Sequence, residues 1–235
     1  MTFRQISWRF SGEIQMRTVV FDLDGTLADT SDDLLAAANA CFQGLGQGDL
    51  LDARDAFTAF QGGRAMLRLG FQRLGKVDEA EVDRLYPVLL AAYGDAIDTH
   101  TRLYPGVVAA LEALRQDGIA LSICTNKPEG LAETLVQRLG IRPMFGALVG
   151  ADTLTVRKPD PAPLIEALRR VGGSPGRALL VGDTKTDRQT GRAAAVPVAL
   201  VTFGPEGRAV SRLSPEALLD HYDDLQGLVA RILPG

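Results

Sequence analysis

Over most of its length the chain alternates between short apolar runs and longer stretches whose apolar residues recur every three or four positions. Thr18-Val19-Val20-Phe21 is apolar or β-branched throughout, the pattern of a strand buried on both faces in a parallel sheet. Leu34, Leu35, Ala38, Phe42 and Leu45 follow at helical spacing. They predict a helix over residues 31–46, with Asp29, Thr30 or Ser31 as its N-cap. Residues 47–100 contain no strand-like run. Helical periodicity marks 50–60, 64–74 and 78–99, Gly62-Gly63 reads as a turn, and Pro87 is expected to kink or break the last helix. The alternation resumes at Tyr104. A helix runs to Asp117 and closes at Gly118, then a strand (119–124), a helix (129–139) and a weaker strand (147–150) follow. A helix (162–171), a strand (178–181), a helix (186–195) and a strand (198–202) come next. A largely helical tail over 215–233 ends the chain, with a short edge strand near His221. This order predicts an α/β architecture with a parallel sheet, interrupted by a separate small helical domain.

Composition narrows the picture. The chain has 235 residues, room for a large core or a main domain with an insertion. Its 46% hydrophobic and 23% charged content is that of a soluble globular protein. A net charge of -4 without a basic cluster provides no face for nucleic acid. No run of about 18 apolar residues occurs, so no transmembrane helix is expected. Cys41 and Cys124, the two cysteines, fit free thiols in a reducing, cytoplasmic setting better than a disulfide framework. Residues 1–15 lack the apolar segment and small-residue cleavage site of a signal peptide. They are expected to be a tail, either loosely ordered or upstream of a native start at Met16.

The candidate chemistry lies where the first strand ends, in Asp22-Leu23-Asp24-Gly25-Thr26. In open α/β sheets the reacting site lies beyond the carboxyl ends of the strands, so two carboxylates are delivered there one residue apart. Asp22 and Asp24 could serve simply as turn and cap residues. The chemical alternative has one Asp as a nucleophile that forms an aspartyl-phosphate and the other as general acid and base. Two anions facing a phosphate call for a divalent cation, and Mg2+ suits one or two carboxylates together with substrate phosphate.

Four motifs in order carry a resemblance to the haloacid dehalogenase superfamily, over about residues 17–233. They are Asp22 to Thr26, Thr125-Asn126 at the end of the second strand, Lys158 in Arg157-Lys158-Pro159-Asp160-Pro161, and Gly182-Asp183 with Asp187. The resemblance implies a Rossmann-like α/β core with a parallel sheet, formed by residues 16–30 and 102–235. Residues 31–101 would be a small inserted α-helical cap domain. The first strand would be central, between the second and the fourth. The implied roles are Asp22 as nucleophile and Asp24 as acid and base. Mg2+ would be held by Asp22, the Asp24 main-chain carbonyl and Asp183. Thr125, Asn126 and Lys158 would bind phosphate. Thr26 would orient Asp24, and Asp187 would pair with Lys158 or a metal-bound water. Two departures from the family pattern stand out: Thr184 where Ser commonly follows the Asp, and Ala195 where Gly is more usual.

Within the superfamily the resemblance is nearest to the phosphoglycolate phosphatases. It implies a Mg2+-dependent phosphomonoester hydrolase acting on a small phosphorylated metabolite, as a monomer or homodimer. Gly62, Gly63 and Arg64 in the helical insertion are candidates for holding a substrate carboxylate, through backbone N–H groups and a guanidinium fork. Sugar-phosphate hydrolysis and a β-phosphoglucomutase-like reaction use the same residues and remain open. A phospho-accepting signalling domain shares the Asp, Thr and Lys set, but the helical insertion and the Asp22/Asp24 spacing weigh against it.

Overall fold

Strand β1 (Met16–Phe21) lies at the middle of the molecule with both faces covered. In the computed structural model, which describes residues 16–234, Val19 and Phe21 belong to one apolar cluster and Val20 to another. This period-two split recurs in β4 (Ala120–Cys124), β6 (Gly173–Gly182) and β7 (Val198–Val201). Leu121, Ile123, Leu179, Val181, Ala199 and Val201 face one side; Cys124, Ala178, Leu180, Val198 and Leu200 face the other. Two apolar faces need two covering layers. Helices α5 (Val107–Gln116), α6 (Glu129–Arg138) and α9 (Leu225–Ile232) contribute to the first cluster. Helices α7 (Ala162–Arg170) and α8 (Lys185–Ala194) contribute to the second. Each fully buried Val, Leu or Phe is worth about 1.5–3 kcal/mol, so β1 is among the most strongly held segments.

With β5 (Ala147–Val149) and β8 (Ala217–Leu219) the sheet has six parallel strands in the order β5-β4-β1-β6-β7-β8. The expected central position of the first strand, between the second and fourth of the alternating series, is found. β8 is the edge strand expected before His221. Residues 207–213, which show no clear periodicity, form a 3-10 helix. The expected tail at residues 1–15 lies outside the described residues.

A helical block separates β2 (Ala28–Asp29) from β3 (Arg102–Leu103). It comprises α1 (Ser31–Gly44), α2 (Ala56–Ala59), α3 (Gly63–Arg73) and α4 (Glu79–Asp95). The helix expected over 50–60 is shorter, because Asp52 is extended and its carboxylate caps the Arg54 N–H, so a 3-10 turn begins at Ala53. The expected break at Pro87 does not occur: α4 is continuous through it. Pro87 lies on an exposed face, where water can satisfy the carbonyl that loses its N–H partner. The two chain crossings into the block are tied together. β2 and β3 pair antiparallel, Ala28 with Leu103 and Asp29 with Arg102. Buried Asp33 accepts from the N–H groups of His100 and Thr101 and from the Thr101 hydroxyl at 2.8–3.0 Å.

Ala195, the residue standing where Gly is more usual, closes α8 in the left-handed conformation with φ 55°. The left-handed region costs a residue with a Cβ roughly 1–2 kcal/mol, only partly offset by the extra freedom that Gly has in the unfolded chain. Ala195→Gly is therefore expected to stabilise the protein by about 0.5–1 kcal/mol. Urea unfolding checks this: the midpoint rises at constant slope.

Candidate active site

The ladder continues one residue past β1, where the Asp22 N–H donates to the Val181 carbonyl at 2.9 Å. The chain then turns sharply, and the Thr26, Leu27 and Ala28 N–H groups all converge on the Leu23 carbonyl. Gly25 is required twice in this turn. Its φ is +78°, and a Cβ there would lie 2.4 Å from Asp183 Oδ2. The same position would be 3.2 Å from the Phe60 ring, so the helical block reaches the turn. Among the described residues the Asp24 main-chain carbonyl accepts no hydrogen bond from this turn.

Since β6 neighbours β1, the tip of β6 brings Asp183 to Asp22. The first turn of α8 adds Asp187. Carboxylate oxygens of Asp22, Asp183 and Asp187 lie within 4.8 Å of one another. One ammonium stands among them: Lys158 Nζ is 2.9 Å from Asp22 Oδ2 and 2.7 Å from Asp187 Oδ1. Lys158 and Asp187 side chains are 1% and 0% exposed, so Asp187 is no surface charge. Its second oxygen accepts from the Asp183 and Thr184 N–H groups and from the Thr184 hydroxyl. The Thr that replaces the usual Ser thus retains the capping contact. Asp183 Oδ1 accepts from the Thr26 hydroxyl at 3.1 Å, whereas Oδ2 is buried with no partner among the described residues. A buried carboxylate oxygen left bare beside two more carboxylates is the hard oxygen donor set that Mg2+ takes.

The charges respond to this crowding. Burial pushes the Asp22 carboxyl up to about 7; Asp187 adds to the rise, while Lys158 and the Leu23 N–H oppose it. Burial, then Asp187 and Asp22, hold Asp183 well above the usual carboxylate range. For Asp187 burial pushes upward, but Lys158 and the Thr184 donors together outweigh it and the carboxyl stays below its ordinary value. Burial pulls the Lys158 ammonium down, but Asp187 and Asp22 overcome it, and Lys158 stays charged beyond its usual range. Two carboxylates held above their ordinary range in one cleft, Asp22 sharing its ammonium with Asp187 and Asp183 without an ion-pair partner among the described residues, leave the cleft short of positive charge. Cys124 next to them is pushed by burial up to about 12 and is inert as a thiol.

From the β4 side, the Thr125 N–H bonds to Val149 O, and its hydroxyl oxygen accepts from the Lys127 N–H. Asn126 acts through its side chain: its amide donates to the Lys158 carbonyl at 3.0 Å, bracing the loop that carries the lysine.

Three expectations change. Thr26 does not reach Asp24. The turn directs its hydroxyl at Asp183, and its carbonyl is fixed by the buried Tyr222 hydroxyl at 2.8 Å. Asp24 Oδ1 instead accepts from Thr30 Oγ1 and pairs with Lys127 Nζ, both at 2.7 Å. Arg64 forks onto Asp83 at 2.9 Å and stacks over Tyr86, so its charge is used within the helical block. Gly62 has a φ of +100°. Gly63 lets α3 approach α4, since a Cβ there would press on Tyr86 and Leu89 at 3.0–3.1 Å. Neither Thr30 nor Lys127 stood out in the sequence as a partner of Asp24. The adjacent Thr125-Asn126-Lys127-Pro128 run was the one available signal, and it does not reveal a contact 103 residues away.

The family model described as haloacid dehalogenase-like hydrolase matches residues 19–201. A phosphoglycolate phosphatase of Mesorhizobium japonicum is 42% identical over 211 residues, covering 88% of this chain and 92% of that protein. One from Agrobacterium fabrum is 36% identical over 204 residues, 86% and 88% of the two chains. Among solved structures, a "predicted phosphoglycolate phosphatase" from Haemophilus somnus superposes with a TM-score of 0.80 at 25% identity, covering 92% and 99%.

The raised Asp22 sets a pH dependence in metal-free protein. Its folded value of about 7 lies above the ordinary 3.8, so ionisation favours the unfolded chain and stability falls as pH rises through about 7. Asp22→Asn removes that dependence. Thermal melts in chelator should show no gain over wild type below about pH 4, a gain that grows between about pH 4 and 7, and a plateau above that.

Proposed function

The chain belongs to the haloacid dehalogenase-like hydrolases, and from that premise we propose that it is a Mg2+-dependent phosphomonoester hydrolase. It would act through an aspartyl-phosphate, with 2-phosphoglycolate as substrate. The observation that carries the reading is the convergence of Asp22, Asp183, Asp187 and Lys158 at adjacent strand tips, with one Asp183 oxygen bare. The printed names of the relatives supply the substrate.

Mg2+ would be held by Asp22, the Asp24 main-chain carbonyl and Asp183. When bound, it would supply positive charge that offsets carboxylate–phosphate repulsion. The chain's own groups divide the remaining work. Asp22 attacks phosphorus, and Leu23 N–H on Asp22 Oδ1 at 2.7 Å fixes which oxygen is presented. Lys158 favours the ionised form of Asp22 against the burial that raises it, and meets the developing charge. Thr125 and the Asn126 N–H bind the non-bridging phosphoryl oxygens. Asp24 protonates the leaving alcohol and then takes a proton from the water that cleaves the aspartyl-phosphate. Asp187 holds Lys158 and, through its N–H contacts, Asp183. Residues 31–101 act as a cap whose closure excludes bulk water, with Phe60 reaching the turn at Gly25.

The test is phosphate release across a panel of 2-phosphoglycolate, hexose phosphates and triose phosphates, with Mg2+ and with chelator. Release is expected to be fastest from 2-phosphoglycolate and to vanish on chelation. Asp22→Asn should lower kcat by at least about 10³-fold. Isomerisation of hexose phosphates without phosphate release would overturn the hydrolase reading.

A further inference from the structure

Lys127 has no part in the chemistry described so far, yet its position is unusual. It leaves the tip of β4 with its backbone pinned at both ends: its N–H donates to Thr125 Oγ1 at 3.2 Å, and its carbonyl accepts from the Ala151 N–H at 2.9 Å. The side chain is 4% exposed. Its ammonium has two partners from different parts of the molecule. One is Asp24 Oδ1, at 2.7 Å. The other is the face of Tyr93, 4.2 Å from the ring centroid, on α4 of the helical block. Tyr93 is itself 1% exposed, and its hydroxyl has no partner among the described residues. What holds Tyr93 is therefore apolar packing and the cation over its ring.

Asp24 completes the arrangement. Thr30 and Lys127 donate to the same oxygen, Oδ1, and among the described residues Oδ2 has no partner. Two donors on one oxygen stop the carboxyl group from rotating and leave only Oδ2 to carry a proton. We propose that Lys127 is a positioning residue for proton transfer by Asp24, aiming Oδ2 at the leaving oxygen, and that its contact with Tyr93 makes this aim depend on the seating of α4.

The inference rests on the phosphatase reading and deepens it. As the bond from Asp22 to phosphorus forms, the bond from phosphorus to the alcohol oxygen breaks and that oxygen keeps the electron pair. The proton on Asp24 Oδ2 passes to it, leaving a free alcohol and an Asp24 carboxylate. Water then attacks phosphorus and gives a proton to Oδ2, while the bond from phosphorus to Asp22 breaks with its electron pair returning to the Asp22 carboxylate and phosphate leaves. An alkyl alcohol is a poor leaving group and needs that proton; an acidic phenol leaves without it. Loss of aim must therefore be felt in proportion to the basicity of the leaving group, which a general loss of structure would not produce.

The experiment compares kcat/KM for 2-phosphoglycolate and p-nitrophenyl phosphate, with Mg2+, in wild type, Lys127→Met and Tyr93→Leu. Because kcat/KM reports steps up to formation of the aspartyl-phosphate, the shared hydrolysis step does not mask the difference. Lys127→Met should lose about 10²-fold on the alkyl ester and at least about tenfold less on the aryl ester. Tyr93→Leu should show a smaller loss with the same preference. Equal losses on the two esters in Lys127→Met overturn the positioning role, and a leaving-group-independent loss in Tyr93→Leu overturns the link to α4. If Lys127→Met does not fold, Lys127→Gln carries the same comparison. Failure of the wild type to release phosphate from either ester sinks the phosphatase reading instead, so the two failures are distinct.

Discussion

The acidic cluster depends on one buried ammonium, that of Lys158. At the carboxyl edge of the sheet three aspartates meet within 4.8 Å, and taking each from water costs several kcal/mol if left unpaired. Lys158 touches two of them from a position 1% exposed to solvent. Without its charge, Asp22 and Asp187 would both be driven toward the protonated state, and a protonated Asp22 could not play the part of nucleophile proposed for it. The balance is unequal by design of the contacts. Asp187 receives a Lys158 bond and three donors from Asp183 and Thr184, and is held ionised. Asp22 shares the ammonium and is held near neutrality. Asp183 has only the Thr26 hydroxyl and Lys158 at a distance. The three carboxylates thus span a range of proton affinity set by donor number, and those with fewest donors retain most capacity for a cation.

The sheet order makes this crowding possible. β1 is bonded on both sides, to β4 and to β6, so groups leaving either neighbour at its carboxyl end arrive beside Asp22. Deep burial of β1 fixes the floor, and the Gly25 turn fixes the wall. A side chain at residue 25 would occupy the space of Asp183 Oδ2. Thr26 spans from the same turn to Asp183, while Tyr222, from the far end of the chain, locks the Thr26 carbonyl. Rigid support of this kind is what holds a catalytic group to its geometry when the group itself repels its neighbours.

Much of this was legible in the sequence, for physical reasons that differ by residue. A buried parallel strand must be apolar on both faces, so β1, β4, β6 and β7 announce themselves as short apolar runs. Asp22, Asp24 and Asp183 follow directly from where those runs stop. The family resemblance, rather than periodicity, supplied the strand order that brings these tips together. Contacts made across the fold were not legible. Which carboxylate a hydroxyl meets depends on the direction of a turn, so Asp24 meets Thr30 and the nearer Thr26 meets Asp183. Arg64 lies next to a glycine pair that invited a substrate-binding reading, yet Asp83 and Tyr86, within one turn of each other on the neighbouring α4, take its charge. Pro87 is harmless because its face is solvated, and solvation of one helical face is decided by packing.

The helical block meets the α/β layer at both the chemical groups and the chain crossings, and these contacts differ in kind. At the crossings, β2 with β3 and Asp33 with His100 and Thr101 are made of hydrogen bonds to backbone, which are directional and leave little freedom. At the site, Phe60 lies beside Gly25 and Tyr93 lies under Lys127, contacts of rings that slide at small cost. The block is therefore held more firmly at its root than at its tip. The same division sets Asp22, Lys158, Asp183 and Asp187 on the α/β layer, where their mutual distances are fixed by the sheet, α8 and the loop braced by Asn126 and owe nothing to the block.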